Sequence, residues 1–121
     1  MRNLLHAGRS TFEEEICIVP LDEEITRINM PRPDFIKIDT EGWEIEVLKG
    51  ARKTLESDKP KLFLEMHGET IKEKRRKVME VVTFLWEINY RHICHIETNT
   101  MITPENTSVA IAGHLYCQTH E

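Results

Sequence analysis

Two short polar clusters hold the side chains best suited to chemistry. Asp39-Thr40-Glu41-Gly42 supplies two carboxylates, and Glu65-Met66-His67-Gly68 supplies a carboxylate and an imidazole. Histidine as a residue type titrates near neutral pH, so it can take up or release a proton in turnover. A carboxylate can hold a cation, orient a hydroxyl or act as a base. Gly42 and Gly68 permit the tight turns and close backbone approach that a ligand site needs. Either cluster alone reads as helix capping or as a satisfied structural pair. Two of them, each behind an apolar run and ahead of a helix, favour a ligand site, because open α/β sheets bind ligands at the carboxyl ends of their strands.

The elements that position these clusters follow from periodicity and punctuation. Ile16 to Leu21 reads as a short strand ending at Pro20, and the first fifteen residues show no clear period. Asp22 to Asn29 opens with Asp-Glu-Glu, which suits a helix N-terminus through capping and the dipole. Pro31 and Pro33 end it. Phe35 to Ile38 reads as a buried strand. Glu44 to Ser57 reads as one helix with a stripe of Ile45, Leu48, Ala51 or Arg52, and Leu55. Leu62 to Met66 is nearly all apolar, the pattern of a parallel strand covered on both faces. Thr70 to Asn89 carries Val78, Val81, Val82 and Leu85 at helical spacing. His92 to Ile96 and Thr107 to Cys117 read as a final antiparallel pair on the sheet edge. The alternation predicts an α/β fold of parallel strands with crossover helices.

Composition bounds the function classes. The chain has 121 residues, 40% hydrophobic and 31% charged, which suits one small globular domain. A net charge of −5 argues against general affinity for nucleic acid or anionic lipid. Lys72-Glu73-Lys74-Arg75-Arg76-Lys77 has no interleaved aromatics and reads as a solvated helix face. No apolar run reaches spanning length, and the start Met-Arg-Asn-Leu-Leu-His lacks the apolar core of a signal peptide. Cys17, Cys94 and Cys117 form no Cys-x-x-Cys, so a reducing cytoplasm is the expected setting. A zinc site would have to use His92, Cys94 and His95 with His114, Cys117 and His120, but their spacing is not that of a zinc knuckle, and no metal is expected. Trp43 follows the acidic loop, at the rim of the site or packed, and Trp86 lies beside an apolar stripe as a core residue.

The residues from Ile36, Ile-Lys-Ile-Asp-Thr-Glu-Gly-Trp-Glu-Ile-Glu-Val-Leu-Lys-Gly-Ala, followed by Leu-Phe-Leu-Glu-Met-His, resemble the FkbM-type methyltransferases. Val19-Pro20-Leu21-Asp22-Glu23-Glu24-Ile25 is similar to the segment that precedes this motif in the family. The resemblance runs from about Cys17 onward and implies a Rossmann-like, S-adenosylmethionine-dependent enzyme, with many members O-methyltransferases. It places Asp39 and Glu41 in the acidic loop that faces cofactor and acceptor, with Glu65 and His67 at the end of the next strand. Asp39 and His67 are then the catalytic candidates, and Glu41, Gly42 and Glu65 the cofactor-binding ones. The acceptor implied is a hydroxyl of a small molecule or glycan.

The family's glycine-rich cofactor turn has no counterpart here. No Gly-x-Gly precedes Asp34, and Gly8 stands alone. The expectation is therefore a single partial methyltransferase domain over residues 1–121, its C-terminal half, with weak cofactor binding by the chain alone. Half a sheet leaves a strand edge open to a second copy or to a partner that completes it. The alternative is a non-catalytic remnant of the fold that serves oligomerisation or interaction.

Overall fold

The computed structural model describes residues 3–7 and 14–120, with side chains from Ile18 onward. Gly8, the first two residues and the side chain of Cys17 lie outside the described set. Strands β1 (Asn3–Ala7) and β2 (Glu14–Ile18) form an antiparallel pair that is a sheet of its own. The strand expected over Ile16 to Leu21 thus begins earlier and stops at Ile18, and Leu21 opens helix α1 (Leu21–Arg27). The main sheet contains β3 (Phe35–Ile38), β4 (Lys61–Met66), β5 (His92–His95), β6 (Thr100–Met101) and β7 (Gly113–Gln118). Their spatial order is β3-β4-β7-β5-β6.

Only β3 and β4 run parallel, joined through α2 (Glu44–Gly50) and α3 (Arg52–Asp58). The other pairings are antiparallel. This corrects two expectations. Parallel pairing is confined to β3 and β4, and although the expected final pair, β5 and β7, does form antiparallel, β7 does not lie at the sheet edge. It inserts between β4 and β5, so the final strand in sequence occupies the middle of the sheet. The segment expected as one strand over Thr107 to Cys117 starts with a 3-10 turn, Thr107–Ala110, and becomes a strand only at Gly113.

The sheet buries one face. Leu62, Leu64 and Met66 of β4 are buried, while Phe63 and Glu65 are only half-buried. The all-apolar look of this strand misleads because Phe63, on the outer face, is as hydrophobic as its inward neighbours. Pairing sets Ile38, Leu64, Leu115 and His95 in one row across four strands, and all four are buried. Against this face pack Leu48, Ala51 and Leu55 of α2 and α3, with Val78, Val81, Val82 and Leu85 of α4 (Ile71–Glu87). Tyr90, fully buried, donates its hydroxyl to the Pro60 carbonyl at 2.6 Å and ties the end of α4 to the start of β4. Burial pushes its phenol pKa up.

The expected single helix from Glu44 is two. It breaks at Ala51, and α3 starts afresh with unsatisfied N–H groups. Asp22 supplies them: its carboxylate accepts from Lys53 N and Thr54 N at 2.9 Å and from Thr54 Oγ1 at 2.6 Å. Asp22 therefore caps a helix thirty-odd residues away and not its own, whose N-cap is Pro20 with no side-chain cap. In α4 the expected start holds, with Thr70 as N-cap accepting from Glu73 N at 3.1 Å.

Candidate functional site

Strands β3 and β4 end side by side, since Ile38 is in register with Leu64. The residues that follow are therefore neighbours although 26 positions apart in sequence. His67 lies at the centre. Its Nε2 is 3.4 Å from Asp39 Oδ1 and 3.8 Å from Glu65 Oε1. Asp39, Glu65 and His67 each offer an atom within 4.8 Å of the others, the one such group of three among the described residues. The side chains of Asp39 and Glu65 are 43% and 36% exposed, so the mouth is open to solvent. Among the described residues no lysine or arginine is within ion-pair distance of either carboxylate; both face imidazoles.

Behind the imidazole lies Glu44, a residue to which the sequence reading gave no role. It is 1% exposed. Its Oε2 accepts from Thr40 Oγ1 at 3.0 Å and from Gly42 N at 2.9 Å, and stands 3.4 Å from His67 Nδ1. Oε2 is an acceptor, so when Nδ1 carries the proton toward it the Nε2 lone pair faces Asp39 and Glu65. Glu44 Oε1 is buried with no hydrogen-bond partner. A signal existed in the sequence: Glu44 precedes Leu48 by one helical turn, a carboxylate on a buried stripe.

The loop that carries these groups is held from below by α4. Glu41 (φ 53°) and Gly42 (φ 112°) both adopt left-handed backbone. Glycine takes the second without strain, and a Cβ there would stand 2.8 Å from Lys77 Nζ. Lys77 donates to the Gly42 carbonyl at 3.2 Å and pairs with Glu73 at 3.1 Å. The hydrogen bond from Lys77 holds the Glu73 carboxyl below its ordinary range. Lys77 thus departs from the solvated-face reading of the basic run, while Arg76 follows it in an exposed pair with Glu80. Glu41 is exposed and lines, with His67, Gly68 and Lys77, a recess of about 340 Å³. It shares that recess with His67 but is not among the gathered donors, and Gly42 enters through its backbone alone.

On the other side of Glu65 the strand β7 brings His114, the cross-strand partner of Glu65. Its Nε2 is 3.9 Å from Glu65 Oε1, and its ring stacks on Phe63 at 5.1 Å. Glu97 clamps it, accepting from His114 N at 2.8 Å and meeting Nδ1 at 2.5 Å. These bonds lower the Glu97 pKa to about 2. The six histidines and cysteines weighed for zinc are not brought together as a ligand group. His95 is buried with its ring satisfied by Thr98 Oγ1 and the Ala112 carbonyl, both at 2.7 Å. Cys117 is a buried core residue whose thiol pKa is raised by burial. Trp43 is exposed and borders an apolar recess of about 460 Å³ with Val19, Pro20 and Val47, and Trp86 packs against the core.

No described helix is long and apolar enough to cross a membrane. No curated protein and no solved structure matches the chain. The sequence does match the Methyltransferase FkbM domain over residues 2–92, so the match starts upstream of Cys17 and stops at the beginning of β5. With a strand-ended carboxylate and imidazole cluster at the centre of that stretch, and about three quarters of its residues matched, the chain belongs to the FkbM methyltransferase family.

Proposed function

We propose that the chain contributes the acidic half of an S-adenosylmethionine-dependent methyltransferase site, acting on a hydroxyl of a small molecule or glycan. The observation that carries this reading is the His67 imidazole, set between Asp39 and Glu65 at the adjoining ends of the parallel pair. The donor set fits the cofactor's chemistry. Asp39 is exposed and Glu65 half-buried, and neither carboxylate has a lysine or arginine partner among the described residues, which suits ammonium, sulfonium or ribose hydroxyl groups. Glu41, Gly42 and Glu65 are the residues proposed to hold it. When bound, the cofactor supplies a methyl group activated by positive charge.

What the chain itself does is position and deprotonate. Glu44 fixes the His67 ring through Nδ1, leaving Nε2 to accept the hydroxyl proton of the acceptor. Asp39, 3.4 Å away, stabilises the imidazolium that results. Asp39 is also close enough to the mouth to take that proton directly. Transfer of a methyl group in line depends chiefly on alignment, so the rigidity given by Lys77 and Glu44 to the loop is part of the site.

Calorimetric titration with S-adenosylhomocysteine tests the reading. Binding is expected, weak for the chain alone, and lost in Asp39→Ala. No heat at millimolar ligand would overturn the enzymatic reading of this chain and favour a non-catalytic interaction module.

A further inference from the structure

We propose that Asp39, Glu65 and His67 form a binding site for a single divalent transition-metal ion. The site is the one proposed above for catalysis, but the ion's binding does not depend on that reading; only its use in turnover does.

Three observations carry it. The first is spacing. His67 Nε2 stands 3.4 Å from Asp39 Oδ1 and 3.8 Å from Glu65 Oε1. Neither contact is the 2.7–3.0 Å or so of a charge-assisted hydrogen bond. Ligand atoms bound at about 2.1 Å to one ion lie roughly 3.0–3.4 Å apart in octahedral or tetrahedral geometry. The three atoms thus need only a small adjustment to share an ion, and they come from two strand ends that the sheet holds in register.

The second is the group behind the ligand. A metal-binding histidine typically gives its other N–H to a carboxylate that fixes the tautomer. Glu44 is placed to take that N–H from His67, its Oε2 standing 3.4 Å from Nδ1. It is 1% exposed, and while its Oε2 also holds Thr40 and Gly42, its Oε1 has no hydrogen-bond partner, so a carboxylate lies buried directly behind the imidazole. Burying a carboxylate is costly unless it is compensated, and a cation on the far side of the ring would compensate it.

The third is charge. The Nε2 lone pair and two carboxylates converge on one point, with no lysine or arginine among the described residues to balance them. A cation at that point removes the mutual repulsion. One imidazole and two carboxylates suit manganese and its neighbours better than the thiolate-rich sites of structural zinc. The exposed mouth leaves coordination positions open. An acceptor hydroxyl bound there would lose its proton to water more readily. His67 is then a ligand in the loaded protein and a base in the metal-free one.

The test uses the full chain, treated with chelator and titrated with Mn²⁺ by calorimetry, with electron paramagnetic resonance as the second readout. One ion per chain is expected, saturating below millimolar Mn²⁺, and a Mn²⁺ spectrum distinct from the aqueous ion. Glu44→Gln should weaken binding about 10- to 100-fold. Asp39→Asn and His67→Gln should weaken it further, and Glu105→Gln should leave it unchanged. No binding below millimolar Mn²⁺, or equal binding by wild type and Asp39→Asn, overturns the site. Should circular dichroism show His67→Gln unfolded, Asp39→Asn decides alone, because its side chain is exposed. Titrating the same metal-free protein with S-adenosylhomocysteine separates the two proposals. Cofactor binding without Mn²⁺ binding overturns the metal site only, and Mn²⁺ binding without cofactor binding sustains it.

Discussion

Glu97 and His114 show how much a single exposed pair can be tuned. Glu97 meets both the backbone N–H and the ring of His114, and its pKa falls from 4.5 to about 2. A depressed carboxyl stabilises the fold above its unfolded pKa and loses that contribution as pH falls through the folded one. The window here is from about pH 4.5 down to about 2. Glu97→Gln should therefore lower the thermal midpoint at pH 7, and the gap to wild type should close as the pH approaches 2. Paired melting curves at pH 7, 4 and 2.5 check this, and a gap that is flat with pH would refute it. Glu44 is the opposite case, a carboxylate with almost no exposure. Glu44→Ala removes an acceptor for Thr40 and Gly42 and leaves a cavity, so a loss of about 2–4 kcal/mol is expected in denaturant titration. At this scale the sequence was legible for where Asp39, Glu65 and His67 lie, at adjoining strand ends, since residue type and strand-end position suffice to place them. It was not legible for Lys77 or His114, whose roles come from contacts 35 and 17 residues away in sequence.

Among the elements, α3 depends most on a distant residue. Asp22→Ala leaves Lys53 N, Thr54 N and Thr54 Oγ1 without their acceptor. A cost of about 1–2 kcal/mol is expected, the upper range for a lost helix cap. Asp22→Asn, which keeps an acceptor oxygen, should recover part of it, and urea titrations of the two variants rank them. At the start of β7, Gly113 has φ 103°, and an added Cβ would meet the Glu97 carboxylate, with Cδ at 2.7 Å. Gly113→Ala should thus destabilise by about 1–3 kcal/mol, and by less in a Glu97→Ala background. The helices were readable from their stripes because tertiary burial follows the 3.6-residue period. The break at Ala51 was not, because that residue fits the stripe and the restart is set by Asp22. The last strand was placed too early because Val109 and Ala110 are apolar yet belong to a 3-10 turn.

For the whole molecule, the connection order was legible and the strand order was not. Sequence alternation shows β3, one helical stretch and β4 as a crossover unit, and the parallel pairing bears that out. Nothing local reports that β7 passes over β5 to pair with β4, because pairing partners are chosen by long-range burial. The result leaves β3 at one edge, with no strand on its outer side among the described residues and Phe35 53% exposed. An uncovered edge of this kind invites strand addition. Concentration-dependent sedimentation is expected for the wild type, with Phe35→Lys shifting it toward the monomer; identical profiles would argue against association through this edge. The carboxylate of Asp22 also has a consequence for the order of assembly. It makes the segment before β3 a working part of the crossover, so cleavage between Arg27 and Phe35 would leave both fragments with an end that cannot close. Amides at the start of α3 should then exchange with solvent at the rate of α1's detachment, and the two helices should open as one unit rather than separately.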